Sequence, residues 1–397
     1  MTATPWKEWI PGALNDNQLR QMISMGFIEN ATGCSIDYSS FDLTLTGEGY
    51  LMVKGSVKPQ GGGYEHYLNT HPGFAEALKF EADGTIVLEP KKTYVFKLKE
   101  RLSMGLREST IHGQATAKSS VGRVDVLARL IVDGMFSYEG FDQSVWKRGN
   151  GSMFLEITPI TFWVRVKVGK SLSQLRLFQG KPEHSEITGP ELYDAVLLRD
   201  RTLPSDQCLR VDVSNLGTGE RSAAAYRAKL ENKTPVNLWV DKDKNGEPVN
   251  RPNPTDYWDF APSEDGSFRV TQRNFYILRS KEKIVLRRGV CVYCRAIDET
   301  IGEMRIHYAG FVHPFFGFPT KPGQLPGTPL IFEVRGHDVD VVLIDNEPLA
   351  RLQFYRMSED CPENPDPKKL SPYNDQTLKL SQFFDEFPKL KAVTDNK

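Results

Sequence analysis

The chain has 397 residues, 39% of them hydrophobic and 25% charged, enough apolar side chains to fill the cores of two or three ordinary domains. Its 50 basic and 51 acidic residues nearly cancel, which excludes an overall field able to grip a nucleic acid or an anionic membrane; phosphate binding must be local and the partners small phosphorylated molecules. The opening residues lack a basic stretch followed by an apolar run, no segment stays apolar for the ~18 residues of a membrane span, and Cys34, Cys208, Cys291, Cys294 and Cys361 are an odd, scattered set, so a soluble cytoplasmic protein with reduced thiols is expected. In chain order, Asn15 to Met25 has a helical period, with Leu19, Met22 and Ile23 on one face. After it, alternation of period two dominates. Pro59 to Gly63 is a loop, Tyr94 to Lys99 and Val164 to Val168 are half-buried strands, and Pro322 to Gly327 is a loop again. The expected fold class is mainly β, barrel-like or sandwich-like, with a few short helices.

The sequence also overlays on itself. Tyr94 to Glu100 lies over Tyr276 to Glu282, Phe154-Leu155-Glu156-Ile157 over Ile331-Phe332-Glu333-Val334, and Leu172-Ser173-Gln174-Leu175 over Leu349-Ala350-Arg351-Leu352. Three blocks in one order, all shifted by about 180 residues, predict a tandem duplication. The polar stretch Arg201-Thr202-Leu203-Pro204-Ser205-Asp206 places the boundary near residue 200, giving units over 1–200 and 201–397.

One polar turn carries chemistry. Lys118-Ser119-Ser120-Val121-Gly122-Arg123 sets two hydroxyls, two cations and a glycine within strand-like sequence. Hydroxyls and backbone N–H groups donate to phosphate oxygens, glycine admits close approach, and Lys and Arg add charge-assisted bonds. The chain contains no G-x-x-x-x-G-K-[ST] phosphate loop, so this turn is the candidate phosphate grip.

Taken in order, Ser40-Phe41-Asp42-Leu43-Thr44-Leu45, the serine turn, Phe154-Leu155-Glu156 and Leu172-Ser173-Gln174-Leu175 resemble the blocks of dCTP deaminases in the dUTPase superfamily. The second half resembles the C-terminal half of the long, duplicated bacterial members, through Met304 to Phe311, Phe332-Glu333-Val334-Arg335-Gly336-His337 and Tyr373 to Ser381. The resemblance implies a tandem pair of dUTPase-like distorted β-barrels or jelly rolls, with active sites where repeats or subunits meet. It also implies deamination of dCTP to dUTP, Mg2+ bound with the triphosphate, no zinc, and homo-oligomers of the threefold kind common in the superfamily. Ser119 and Arg123 would position water and base, and Lys118 and Ser120, with Gln174 nearby, would hold the nucleotide. The hairpin at Ala309, Gly310 and Phe311 would read the base, and Tyr373, Gln376 and Lys379 would close over the phosphates.

The repeats differ where it matters. Opposite the serine turn the second repeat has Asp298 to Glu303, whose acids would repel a triphosphate, whereas its hairpin at Ala309 to Gly317 is the compact one; the first repeat's counterpart, Val132 to Gly151, is long and irregular. This predicts one composite site, with the turn from the first repeat and the hairpin and Glu333 from the second. Glu156, in the equivalent block, is the alternative catalytic acid. His313 stands where single-repeat members usually carry an acidic residue.

Hydrolysis at C4 of cytosine needs a group that accepts a proton from water and returns it to the departing amine, a role suited to a buried glutamate whose ionisation Arg123 would favour. A zinc deaminase would need H-x-E and P-C-x-x-C elements. His184-Ser185-Glu186 and Cys291-Val292-Tyr293-Cys294 are only fragments of these: Val290 replaces the proline, and two residues three apart on a strand face opposite sides. The remaining rivals are a dUTP diphosphatase or bifunctional enzyme, whose glycine-rich tail is missing after Gly336, and a catalytically inactive nucleotide-binding regulator.

Overall fold

Asn15 accepts a hydrogen bond from the Gln18 N–H at 2.9 Å while the Gln18 side chain accepts from the Asn15 N–H at 3.0 Å, a reciprocal cap that starts the helix Asp16–Ser24 and buries Leu19 and Met22. This is the helix the sequence period predicts. The structure, a computed structural model, describes residues 4–69, 73–189, 192, 196–198, 206–297, 304–306, 310–319 and 321–386. The domain boundary expected near residue 200 and the acidic stretch at 298–303 lie outside the described residues.

Beyond the helix the chain is mainly β. In the first half, strands Val126–Val132, Ser152–Pro159, Tyr94–Leu102, Phe41–Met52, Ser171–Gln179, Ile111–Ala117 and Gly140–Phe141 follow one another across a sheet. In the second, Trp258–Ala261, Ala225–Ala228, Phe275–Leu286, Cys208–Asp212, Pro348–Arg356, Val290–Ala296 and Phe311–Val312 do the same, and Thr328–Gly336 lies on Phe275–Leu286. The registers correspond: Glu156 faces Val95 in one half and Glu333 faces Ile277 in the other; Thr85 faces Lys167, and Ser267 faces Ile344. The alternation read at Tyr94 is real but lopsided, because Tyr94, Val95 and Phe96 are all buried, one side against each of two apolar clusters.

The halves are stitched together. Val164–Lys167 pairs with Thr85–Leu88 on one edge and with Val236–Asn237 of the second half on the other. One core cluster combines Leu19, Phe41 and Phe162 with Trp258, Phe275, Ile277 and Phe384, the last with its ring centroid 6.3 Å from that of Phe162. A second seam packs Ala13, Tyr38 and Phe178 against Cys291, Phe311, Phe315 and Tyr355. Gly12 sits on the backbone of the other half so closely that a Cβ there would stand 2.5 Å from the Ser358 nitrogen, which makes glycine the residue that fits. Cys291 belongs to this seam whereas Cys294 belongs to the core of the second half, so the two face opposite sides of their strand.

Candidate active site

The serine turn connects the strands Ile111–Ala117 and Val126–Val132. Lys118 is extended, with φ −66° and ψ 142°, and residues Ser119–Gly122 form a single helical turn closed by the Val121 N–H to the Lys118 carbonyl at 2.8 Å. Val121, fully buried in the core, anchors this turn from behind. Its other side meets Glu333. A Cβ added at Gly122 would strike Glu333 Oε2 and stand 2.9 Å from Cδ and 3.0 Å from Oε1. The glycine thus lets a backbone turn of the first half lie directly on a carboxylate of the second.

A cleft opens at this contact. The first half lines it with Ser119, Arg123, Asp37 and Tyr38; the second contributes the hairpin from Gly310 to Phe316, Glu333 and, from the tail, Tyr373, Asn374 and Gln376. Glu333 is 3% exposed, its Oε2 has no hydrogen-bond partner, and its carboxyl is pushed up to about 8, chiefly by burial, with Arg123 opposing and Asp125 reinforcing the shift. Burial therefore outweighs the cation that was expected to keep this acid ionised. Arg123, 2% exposed, lies 3.8 Å above the Tyr373 ring and donates to the Lys379 carbonyl at 3.0 Å and to Gln376 Oε1 at 2.9 Å.

The hairpin is held from beneath by a residue the sequence reading did not single out. Arg176, fully buried, donates to the Val292 carbonyl at 3.1 Å and to Ser39 Oγ at 3.1 Å, and its guanidinium lies 4.0 Å from the centre of the Phe311 ring. Ser39 Oγ is also 2.9 Å from His313 Nδ1, and His313 Nε2 is 3.6 Å from Asp37 Oδ2. Burial pulls the His313 pKa down against the influence of Asp37, so the ring is neutral at pH 7 and works as a hydrogen-bonding group. Arg176 follows directly on the Leu172 to Leu175 block and Asn374 lies inside the Tyr373 to Ser381 block, the one trace of each in the sequence; Asp37 and Tyr38 carry none. Asn374 accepts from the Gly317 N–H at 2.6 Å and donates to the Phe318 carbonyl at 2.7 Å, tying tail to hairpin.

The other expected residues are arranged around the cleft rather than in it. Ser120 is buried beneath the tail, its Oγ 2.9 Å from the Tyr373 hydroxyl and accepting from Gln382 Nε2 at 2.9 Å. Lys118 Nζ is 2.6 Å from Asp42 Oδ2, and Gln174 accepts from Ser40 Oγ at 3.1 Å. Lys379 meets the turn with its carbonyl, while its ammonium donates to the Pro372 carbonyl at 2.8 Å. Ala309 lies outside the described residues. Glu156 stands apart: it is 1% exposed, paired with Arg129 and accepting from Ser56 and, at 3.1 Å, from the Tyr138 hydroxyl, away from the residues that line the cleft.

A mainly β fold with an acid and an arginine meeting between its two halves defines a class, and comparison with known proteins names it. Residues 10–181 match the N-terminal domain, and residues 190–384 the C-terminal domain, of the 2'-deoxycytidine 5'-triphosphate deaminase family. The crystal structure of 2'-deoxycytidine 5'-triphosphate deaminase from Agrobacterium tumefaciens superposes with a TM-score of 0.73 at 25% identity, covering 88% of this chain and 96% of that one. Bacillus subtilis oxalate decarboxylase, at 12% identity over 72% of this chain and 78% of that one, reaches a TM-score of only 0.10. No curated protein sequence matches the chain. The chain belongs to the 2'-deoxycytidine 5'-triphosphate deaminase family. Among the described residues no helix is long and apolar enough to cross a membrane.

Proposed function

We propose that this protein hydrolyses dCTP to dUTP and ammonia in the cleft between its halves, with Glu333 as the proton carrier and without zinc. The observation that carries the reading is the buried Glu333 carboxylate, one oxygen unpartnered, set directly against the serine turn of the other half. Family membership and the likeness to the Agrobacterium enzyme supply the substrate class, and the matching strand registers of the two halves support reading them as a duplication.

The chemistry divides among the lining groups. Water held near Ser119 adds across the C4–N3 double bond of the base; ionised Glu333 accepts one of its protons and passes it to N3, then carries the remaining hydroxyl proton to the amino group, which leaves as ammonia while C4 becomes the carbonyl of uracil. Arg123 lowers the cost of the negative charge on Glu333 before attack. Backbone groups of Gly310 to Val312, fixed by Arg176 from below, face the base. Phosphates would take over the Ser120 hydroxyl from Gln382 and the Lys118 ammonium from Asp42, with Tyr373 and Gln376 closing above. Magnesium enters as part of the substrate, on phosphate oxygens.

The test is direct. Purified protein with dCTP and magnesium should release ammonia and no pyrophosphate, and a zinc-selective chelator should leave the rate unchanged. Pyrophosphate from dUTP would support a diphosphatase or bifunctional enzyme, and binding of dCTP without product a regulator.

A pH dependence follows from burial. The base must be ionised in the free enzyme, and Glu333 is pushed up to about 8. We expect log kcat/KM for dCTP to rise with unit slope as pH increases and to level off above about 8. A plateau already reached at pH 6 would show that the attacking base is another group.

A further inference from the structure

Below the serine turn lies a second charged contact between the halves that the reaction itself does not use. Two residues after Arg123 the chain passes through Asp125 in the left-handed region, φ 56°, which the short side chains of Asp and Asn tolerate best. Its backbone is fixed on both sides: the N–H donates to the Gly122 carbonyl and the carbonyl accepts from the Ile160 N–H, both at 2.9 Å. Its side chain is fully buried, and Oδ2 accepts from Thr161 Oγ1 at 2.5 Å and from Arg335 Nη1 at 2.5 Å. Arg335 also donates to Thr161 Oγ1 at 2.8 Å and to the Arg273 carbonyl at 3.1 Å.

Arg335 belongs to the strand Thr328–Gly336, two residues beyond Glu333. Period two places both side chains on one face of that strand, so both point at the first half. Glu333 meets the turn at Gly122, and three residues further along the same backbone Arg335 meets Asp125. Two fixed contacts determine how the turn lies along the strand, and with it where Ser119 and Arg123 stand relative to the Glu333 carboxylate. A buried ion pair is a weak source of stability but a strong source of registry, because either partner alone is an uncompensated charge.

We propose that Asp125, Arg335 and Thr161 form a clamp between the halves that holds the serine turn in working position against Glu333, with Asp125 and Arg335 as positioning residues. The proposal rests on the deaminase reading above. The ionisable groups that act on Glu333 are Arg123 and Asp125 from the first half, with Cys294 beside it in the second, and Arg335 acts on it through its pair with Asp125. Neutralising one member of the clamp therefore shifts the balance around Glu333 in a direction set by which charge is left. Asp125→Asn removes an anion and leaves Arg335, so the Glu333 pKa falls; Arg335→Gln leaves Asp125 uncompensated, so it rises.

The experiment compares wild-type protein with Asp125→Asn, Arg335→Gln and Arg335→Lys, measuring kcat and KM for ammonia release from dCTP across pH, melting curves, and the Glu333 titration by 13C NMR of the unliganded protein. Expected are kcat values lowered about a hundredfold in the first two variants with KM little changed, titrations displaced in opposite directions, and a titration close to wild type with partial recovery of kcat in Arg335→Lys, which keeps the charge but not the forked geometry. Loss of kcat merely in proportion to an unfolded fraction, or titrations that move while kcat stays at the wild-type value, would overturn the clamp. Opposite displacements in the variants alongside no ammonia from the wild type would overturn the assigned reaction and leave the coupling of the clamp to Glu333 standing.

Discussion

Glu333→Gln is expected to lower kcat for ammonia release by about a thousandfold, with little change in KM, because the amide fills the same space and cannot carry the proton. Glu156→Gln is expected to leave kcat near wild type and to lower the melting temperature, since Glu156 forms a buried pair with Arg129 away from the cleft; the loss is about 2 kcal/mol, below the usual cost of breaking a buried pair because Arg129 is partly exposed. The stability of the Glu333 variant should also depend on pH. Glu333 rises from 4.5 to about 8 on folding, so the folded chain holds its proton more tightly than the unfolded chain. That contribution to stability is complete below 4.5 and is lost as pH rises through about 8. Glutamine carries no charge at any pH, so Glu333→Gln should melt with the wild type at pH 5 and above it at pH 9. Turnover abolished by the Glu156 change and spared by the Glu333 change would overturn the composite site.

The strands, the helix at Asp16–Ser24 and the correspondence between halves were legible because they depend on local period and on patterns repeated along one chain. Glu333 and the serine turn were legible as members of similar blocks, and the asymmetry between Lys118-Ser119-Ser120 and Asp298-Glu299-Thr300 was enough to propose which half supplies which part. Other features depend on contacts between residues far apart. Arg176 reads as one more alternating strand position until Ser39, Val292 and Phe311 surround it. Lys118 and Ser120 read as phosphate donors, yet their present partners, Asp42 and Gln382, are fixed by strand pairing and by the path of the tail, neither of which is written near the turn. The balance between burial and Arg123 at Glu333 was likewise a question of magnitude, which residue types alone do not answer: full enclosure outweighs one cation.

Gly122→Ala is expected to be the most informative single methyl group in the protein. Gly122 ends the helical turn Ser119–Gly122 with an ordinary negative φ, where alanine is normally favoured over glycine by about 1 kcal/mol. The backbone thus accepts the change, and only the Glu333 carboxylate opposes it, since the new Cβ would strike Oε2 and lie 2.9 Å from Cδ. Glu333 borders the cleft, so its carboxylate can yield to the new methyl group only by swinging away from the turn. Either the turn lifts, carrying Ser119 and Arg123 with it, or the carboxylate rotates out of line with the bound base. Both outcomes misplace the proton carrier, for an expected loss of about a hundredfold in kcat and about 1–3 kcal/mol in stability. In a Glu333→Ala background the obstruction is gone, so the same substitution should become neutral or stabilising, giving a coupling of about 1–3 kcal/mol in a denaturant double-mutant cycle. Additive effects would mean that the turn and Glu333 do not touch, and the composite site would lose the contact on which it is built.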